Sequence, residues 1–325
     1  MQSRGRHERS VWYGPGSAER HEECRTASGT PKLDLDIRTA QSDRMIATPS
    51  RPLPADHPVL PALLSRPTAA VMGVLNVTPD SFSDGGQFIA PERALAQARR
   101  MIAEGADIID IGAESSRPYG AQPVSAEEEL RRLRPVLGPV VALGTPVSID
   151  SMKSAVVAWA LGAGAAIAND VWGLQRDPDM AVVVAEHRAP VIVMHNRDRA
   201  DAGIDIMQDI AAFFARSLEI AARAGIDGSQ IVLDPGIGFG KTPEQSLTVL
   251  ARLDELRAFG LPLLIGASRK RFISMVTPSE PDQRLGGSIA AHVVAARNGA
   301  RIIRTHDVSE TVQALRVAAA IEERR

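Results

Sequence analysis

From Ala69 onward the sequence alternates short runs rich in Val, Ile and Leu with longer amphipathic segments. A continuous apolar run of strand length suits a strand covered on both faces, and such strands are joined by crossover helices in a parallel sheet. The runs predict strands over Ala69–Leu75, Asp107–Ile111, Pro146–Ile149, Ala165–Ala168, Pro190–Met194, Gln230–Leu233, Pro262–Ile265 and Ala300–Ile303. Helical spacing is read over Pro91–Glu104, Ala126–Leu137, Asp205–Ala224 and Pro243–Phe259. Eight strand–helix units over roughly 255 residues match a closed (β/α)8 TIM barrel, an α/β fold, whereas an open doubly wound sheet usually has five or six strands.

Residues 1–66 carry no such pattern: Arg, Glu, His and Ser clusters pass into a Thr/Ser/Gly/Pro stretch and then a run of prolines at Pro52, Pro54, Pro58 and Pro61. They are expected to be an unfolded or loosely attached extension that precedes a barrel over 67–325. Met45 stands late in it, so a translation start placed too far upstream would also account for the segment. Composition excludes further classes. The net charge of −2 in 325 residues offers no field for nucleic acid or an anionic membrane, so any anion must be bound locally. The single cysteine, Cys24, rules out an intramolecular disulfide and a thiolate zinc cluster, and fits a reducing cytoplasm. No apolar run reaches the length of a membrane span.

In a barrel of this kind the chemistry sits where the strands end. The residues at those points are Asn76; Glu114, Ser115, Ser116 and Arg117; Asp150; Asn169 and Asp170; His195; Asp234; Ser268, Arg269 and Lys270; and Arg304, Thr305, His306 and Asp307. Polar residues follow strands in any soluble protein. Here, however, amide, carboxylate, ammonium and guanidinium groups recur where a generic loop would place Gly, Ser or Pro. Asp234-Pro-Gly-Ile-Gly-Phe-Gly-Lys-Thr242 imitates a phosphate loop, but Pro235 stands where a Walker A motif requires its first Gly, so a nucleoside triphosphatase is disfavoured. Its glycines fit a tight loop that brings backbone close to a ligand under Asp234.

Five motifs carry a family resemblance. Met72-Gly-Val-Leu-Asn-Val-Thr-Pro-Asp-Ser-Phe-Ser-Asp-Gly-Gly86, Glu114-Ser-Ser-Arg-Pro118, Asp234-Pro-Gly-Ile-Gly-Phe-Gly-Lys241, Ser268-Arg-Lys270 and Arg304-Thr-His306 together resemble the dihydropteroate synthases, in order from about Val71 to the C-terminus. That resemblance implies a (β/α)8 barrel, a homodimer and small-molecule substrates. It also implies a reaction in which 4-aminobenzoate displaces pyrophosphate from 6-hydroxymethyl-7,8-dihydropterin diphosphate. Such an enzyme is a target of sulfonamides.

The same resemblance assigns roles. Asp234 and Asn169 are similar to the residues that meet the pterin edge, with Asp150 beside them; a buried carboxylate and an amide match the donors and acceptors of an amino-pyrimidinone. A weaker alternative makes Asp150 the cap of a helix starting near Lys153, since Ser148-Ile-Asp-Ser151 also fits a capping pattern. Lys270 would reach both substrates. Arg304 and His306 alternate along an extended segment, which predicts a cationic fork toward the leaving diphosphate. Arg117 resembles a loop arginine that closes over the diphosphate, and Asn76 the residue that meets a diphosphate-bound Mg2+, held otherwise by phosphate oxygens and water. Asp84 and Asp150 would favour a cationic methylene. Phe82, Pro118 and Phe239 would wall the aminobenzoate pocket, with Ser116 beside them in the second loop. Three residues depart from the usual pattern: Ser116 in place of Thr, Tyr119-Gly120 after Pro118, and Arg271 in place of Ser. A pterin-binding paralogue without synthase activity would lack the loop and diphosphate groups, and a pterin-dependent methyltransferase would have no use for them; Asp80, Asp84, Arg117, Arg304 and His306 are all present.

Overall fold

In the computed structural model, which describes residues 59–78, 89–114 and 124–324, eight parallel strands close into a barrel in sequence order. The elements are α1 (Val59–Leu64), β1 (Ala70–Asn76), α2 (Ile89–Ala103), β2 (Ile108–Gly112), α3 (Ala126–Val141), β3 (Val147–Asp150), α4 (Ser154–Gly162), β4 (Ile167–Asp170) and α5 (Met180–Glu186). They continue as β5 (Val191–Met194), α6 (Ile206–Ala224), β6 (Ile231–Asp234), α7 (Pro243–Ala251), β7 (Leu263–Ile265), α8 (Arg271–Val276), α9 (Leu285–Arg297), β8 (Ala300–Thr305) and α10 (Val308–Glu322). Every strand expected from the sequence is present, and the closed barrel is confirmed.

Strand alternation sorts the side chains into two layers. Val71, Ile109, Ile149, Val193, Leu233 and Ile303 face outward and pack against the helices. Met72, Ile108, Ile167, Ile192, Val232, Leu264 and Ile302 face inward and fill the barrel. Registers such as Ser148 beside Ile167, Ile192 beside Val232 and Leu264 beside Ile302 hold this inner layer level.

Four expectations are corrected. The extension does not run to residue 66: α1 belongs to the barrel, because Leu60 and Leu63 are buried in the same cluster as Met72 and Ile108 and floor it. Its end is tied down by Arg301, whose Nη2 donates to the carbonyls of Leu64 and Arg66 at 2.6 and 2.8 Å. Six residues are too few for a periodic pattern, and three nearby prolines masked them. Second, the fourth strand lies two residues later than expected, over Ile167–Asp170, which places Asn169 and Asp170 within it. Third, α3 runs through Pro135 and Pro139 to Val141 instead of stopping at Leu137; its start is capped by Ser125, whose Oγ accepts from the Glu128 N–H. Fourth, the segment 243–259 is not one helix: α7 ends at Ala251 and a 3-10 stretch, Leu253–Phe259, follows before Gly260 in the left-handed region. The remaining extended helix, α6, matches its expected span, with Asp205 capping Met207 and Gln208 and left-handed Gly225 at its end.

Candidate active site

Two residues beyond the apolar inner layer, the same inward face of the strands turns polar. Ile108 is followed by Asp110, Ser148 by Asp150, Ile167 by Asn169, Val232 by Asp234 and Ile302 by Arg304. The period of two that buries the apolar layer therefore aims these groups into the mouth of the barrel. Arg304 donates from Nε to Asp110 Oδ2 at 2.6 Å and from Nη2 to Asp150 Oδ2 at 2.8 Å. Asn169 Nδ2 reaches the Asp110 carboxylate at 3.3 Å, and Asp234 Oδ1 accepts from the Gly236 N–H at 2.7 Å.

Three buried carboxylates meet one guanidinium there, so the ring is short of positive charge and of donors. Burial drives the Asp150 carboxyl up to about 7, against the pull of Arg304 and reinforced by Asp110. Asp234 rises to about 6 for the same reason, partly offset by its backbone hydrogen bond and by Lys270 and Arg304. Arg304 stays fully cationic between its two acids. A ligand edge rich in N–H donors would satisfy this ring.

Beside the ring lies an apolar shelf of Val171, Met194 and Phe239. Lys270 Nζ stands 4.0 Å above the centre of the Phe239 ring. Lys270 is aimed by backbone: Arg269, just before it, adopts a left-handed φ of 58°, held by its N–H to Ser288 Oγ and by its guanidinium on Asp307. The loop after β6 reaches the shelf through glycines, as expected. Gly236 and Gly240 have φ of 65° and 55°, and a Cβ on either would sit 2.0 Å from the His195 carbonyl oxygen or 2.4 Å from Arg197 Cβ.

Some expected roles change with the geometry. Asp150 does not cap α4, whose first N–H, from Ser154, is accepted by Asp177 at 2.7 Å. Arg304 and His306 do not form one cationic fork. Arg304 turns inward to its two acids, while His306 lies past the end of β8 with Nδ1 3.0 Å from Ser268 Oγ. Desolvation of the ring and the charges of Arg304, Arg269 and Lys270 lower the His306 pKa, so its imidazole is neutral here. Glu114 is a brace: it accepts the Val124 N–H at 3.1 Å and pairs with Lys153, which also holds buried Glu129 at 2.9 Å. Asp170 accepts from the N–H groups of Trp172 and Leu174 and shapes the turn after β4. Arg271 opens α8 as an exposed residue.

Asn76 closes β1 at the mouth. Among the described residues no cluster of three or more His, Cys, Asp or Glu side chains could hold a metal. An amide oxygen at Asn76 still fits a hard cation that takes its other ligands from phosphate and water. Phe82, Asp84, Ser116, Arg117, Pro118, Tyr119 and Gly120 lie outside the described residues.

Asp110 is the site residue that reading strand ends missed. It lies within β2, two residues before the strand ends, and its signal was a lone carboxylate inside the apolar run Ile108-Ile-Asp-Ile111. A charge there has to be partnered, which in a barrel means an inward one.

Comparison with known proteins agrees with this geometry. The family model described as "Pterin binding enzyme" matches residues 72–306. Dihydropteroate synthase of Bacillus subtilis is 45% identical over 250 residues, covering 77% of this chain and 87% of its own length. Dihydropteroate synthase of Escherichia coli K12 is 43% identical over 257 residues, covering 77% and 90%. The crystal structure of a clostridial (C. difficile) dihydropteroate synthase in the presence of pteroic acid superposes with a TM-score of 0.76 at 47% identity, over 78% of this chain and 97% of that one. The Xanthomonas albilineans dihydropteroate synthase in complex with 7,8-dihydropteroate gives 0.74 at 43% identity, over 80% and 95%. With the inward acids, the arginine between them and the shelf under Lys270 in place, the chain belongs to the pterin-binding enzymes and, among them, to the dihydropteroate synthase family.

Proposed function

We propose that this chain is a working dihydropteroate synthase, a transferase of folate biosynthesis: it joins 6-hydroxymethyl-7,8-dihydropterin diphosphate to 4-aminobenzoate and releases pyrophosphate and 7,8-dihydropteroate. The observation that carries the reading is the inward set Asp110, Asp150, Asn169 and Asp234 around Arg304, beside a shelf that accepts a flat ring. The pterin's amino-pyrimidinone edge supplies the donors this ring lacks, and Asp234 with Asn169 reads it. Val171 and Met194 cover a face of the heterocycle.

In the chemical step the amine nitrogen of 4-aminobenzoate attacks the pterin methylene. The carbon–oxygen bond to diphosphate breaks, and the amine gives up a proton. No side chain acts as a nucleophile. Asp150 and, from the first loop, Asp84 favour positive charge growing on the methylene. Arg304 lies between the pterin acids and the departing charge, and His306 and Arg117 complete the anion's surroundings. Desolvation chiefly holds the His306 imidazole neutral, and an arriving diphosphate opposes only the further lowering by Arg304, Arg269 and Lys270. Mg2+, held by Asn76 together with the diphosphate oxygens, would neutralise the leaving group. Lys270 and Phe239 hold 4-aminobenzoate, with Phe82, Pro118 and Ser116 closing its pocket. A sulfonamide, similar in shape to 4-aminobenzoate, would occupy the same place; one relative, from Yersinia pestis, has been crystallised as a sulfonamide drug complex.

A cytoplasmic homodimer is the form this reading assigns. Val294 on α9 with Val317 and Ile321 on α10 are exposed apolar residues on neighbouring helices, suited to a second copy. Incubating the purified protein with pterin diphosphate, Mg2+ and 4-aminobenzoate tests the activity. Dihydropteroate and pyrophosphate are expected in equal amounts, and their absence overturns it. Sedimentation velocity tests the dimer.

A further inference from the structure

Lys241, the last residue of the loop after β6, is a buried lysine to which the reaction above assigns no work. It is 5% exposed. Its Nζ lies 2.7 Å from His195 Nδ1 and 3.1 Å from the Phe239 carbonyl oxygen. His195 Nε2 lies 3.0 Å from Asp209 Oδ2, and Arg197 Nη1 is 3.1 Å from that same oxygen. The Asp209 carboxylate only accepts, so His195 carries its hydrogen on Nε2 and donates to it, which leaves Nδ1 to accept from Lys241. The His195 pKa, lowered to about 3 by burial and by Lys241, agrees with a neutral ring.

Burial lowers the Lys241 pKa to about 7, and packing alone would be met by a methionine of similar length. What the amine adds, charged or neutral, is an N–H bond to backbone at one place. Gly236 and Gly240 let the loop lie flat against the residues that follow β5, and Lys241 ties it there. Its hold on the loop is at the carbonyl of Phe239, whose ring lies under Lys270 and against Val171 and Met194. We propose that Lys241 is a positioning residue: braced by His195 and Asp209, it holds the Phe239 backbone so that the ring stays under Lys270 as a wall for the second substrate. The inference rests on the function proposed above.

The test uses the full-length protein at pH 8, where Asp234 is ionised and the Lys241 amine is largely neutral but still donates. K241M should raise KM for 4-aminobenzoate about tenfold, lower kcat less than threefold and leave KM for the pterin diphosphate within about twofold. K241Q, which keeps an N–H for the Phe239 carbonyl, should restore part of the loss. D209A removes a partly exposed side chain to which the reaction assigns no contact with substrate. It should shift the same KM in the same direction, and K241M/D209A should be no worse than K241M alone. A readout independent of turnover is 19F NMR of 4-fluorophenylalanine placed at residue 239, without substrate. One resonance displaced from the free amino acid is expected, moving toward the free position in K241M and in D209A.

Parent-like fluorine shifts with unchanged KM overturn the proposal, as does a loss confined to kcat. If K241M does not fold, the D209A shift and KM decide. If the parent protein makes no dihydropteroate, the proposed function fails, and the fluorine spectra still decide whether Lys241 holds the ring.

Discussion

Arg304 and Asp234 show that the partner, and not the position at a strand end, decides what a charged side chain does. Arg304 follows an apolar strand, as an anion-binding arginine would, yet two acids from β2 and β3 draw it inward. Asp234 keeps one oxygen on the Gly236 N–H, which leaves the other for a ligand. Asp234→Asn should therefore weaken pterin binding by about 2–4 kcal/mol, because an amide presents a donor where the ligand also donates. The melting temperature should stay within a few degrees, and calorimetry with a pterin measures the loss.

The two raised carboxyls also set a pH dependence. Asp150 near 7 and Asp234 near 6 lie above their unfolded value of about 3.9. The folded ligand-free protein thus keeps protons that the unfolded chain has released. The stability these groups contribute is complete below about pH 4 and is lost as the pH rises through 6 to 7. Against a D150N/D234N protein, the parent's melting temperature should fall between pH 5 and 7.5. Pterin, which donates to the ionised carboxylates, should bind more tightly at pH 7.5 than at 5.5, with protons released into the buffer.

Elements carry the next level of constraint. α1 is short, but its two leucines close the floor of the barrel, so the boundary that matters for folding lies before Val59. A protein beginning at Met45 should melt within a few degrees of full length and keep its activity. One beginning at residue 67 exposes the inner layer and loses two buried leucines, about 4 kcal/mol. Its melting temperature should fall by roughly ten degrees, as scanning calorimetry would show. The displaced β4 makes a related point. Ala165 and Ala166 look like strand, but only the pairing of Ser148 with Ile167 brings Asn169 level with Asp150. Register, which no single run encodes, decides that contact.

For the whole molecule, the proposed function would have the second substrate draw on separate parts of the chain. Phe239 and Lys270 belong to the described barrel, whereas Phe82, Pro118 and Arg117 come from the segments after β1 and β2. Those segments contain glycines and charged groups but little apolar sequence. On that reading, diphosphate with Mg2+ would offer Asp80, Asp84 and Arg117 a common partner, so the pocket should be completed only once the first substrate is bound. Titrating 4-aminobenzoate into the ligand-free protein should give little heat, with binding appearing after pyrophosphate and Mg2+ are added. Equal binding in both states would mean that the pocket needs no such partner.

The alternation of apolar runs was enough to specify eight parallel strands and their closure, because burial on both faces leaves few other solutions for that pattern. Strand ends likewise disclosed Asn169, Asp234, Lys270 and Arg304, since polar groups directly after an apolar run must gather on one face. What local sequence did not contain was who pairs with whom. Arg304 meets Asp110 across 194 positions of sequence, Lys241 meets His195 across 46, and α1 meets the barrel floor. Those contacts are products of closure and register: they exist only once distant strands stand side by side, and they turned a supposed cationic fork into a guanidinium held between two acids.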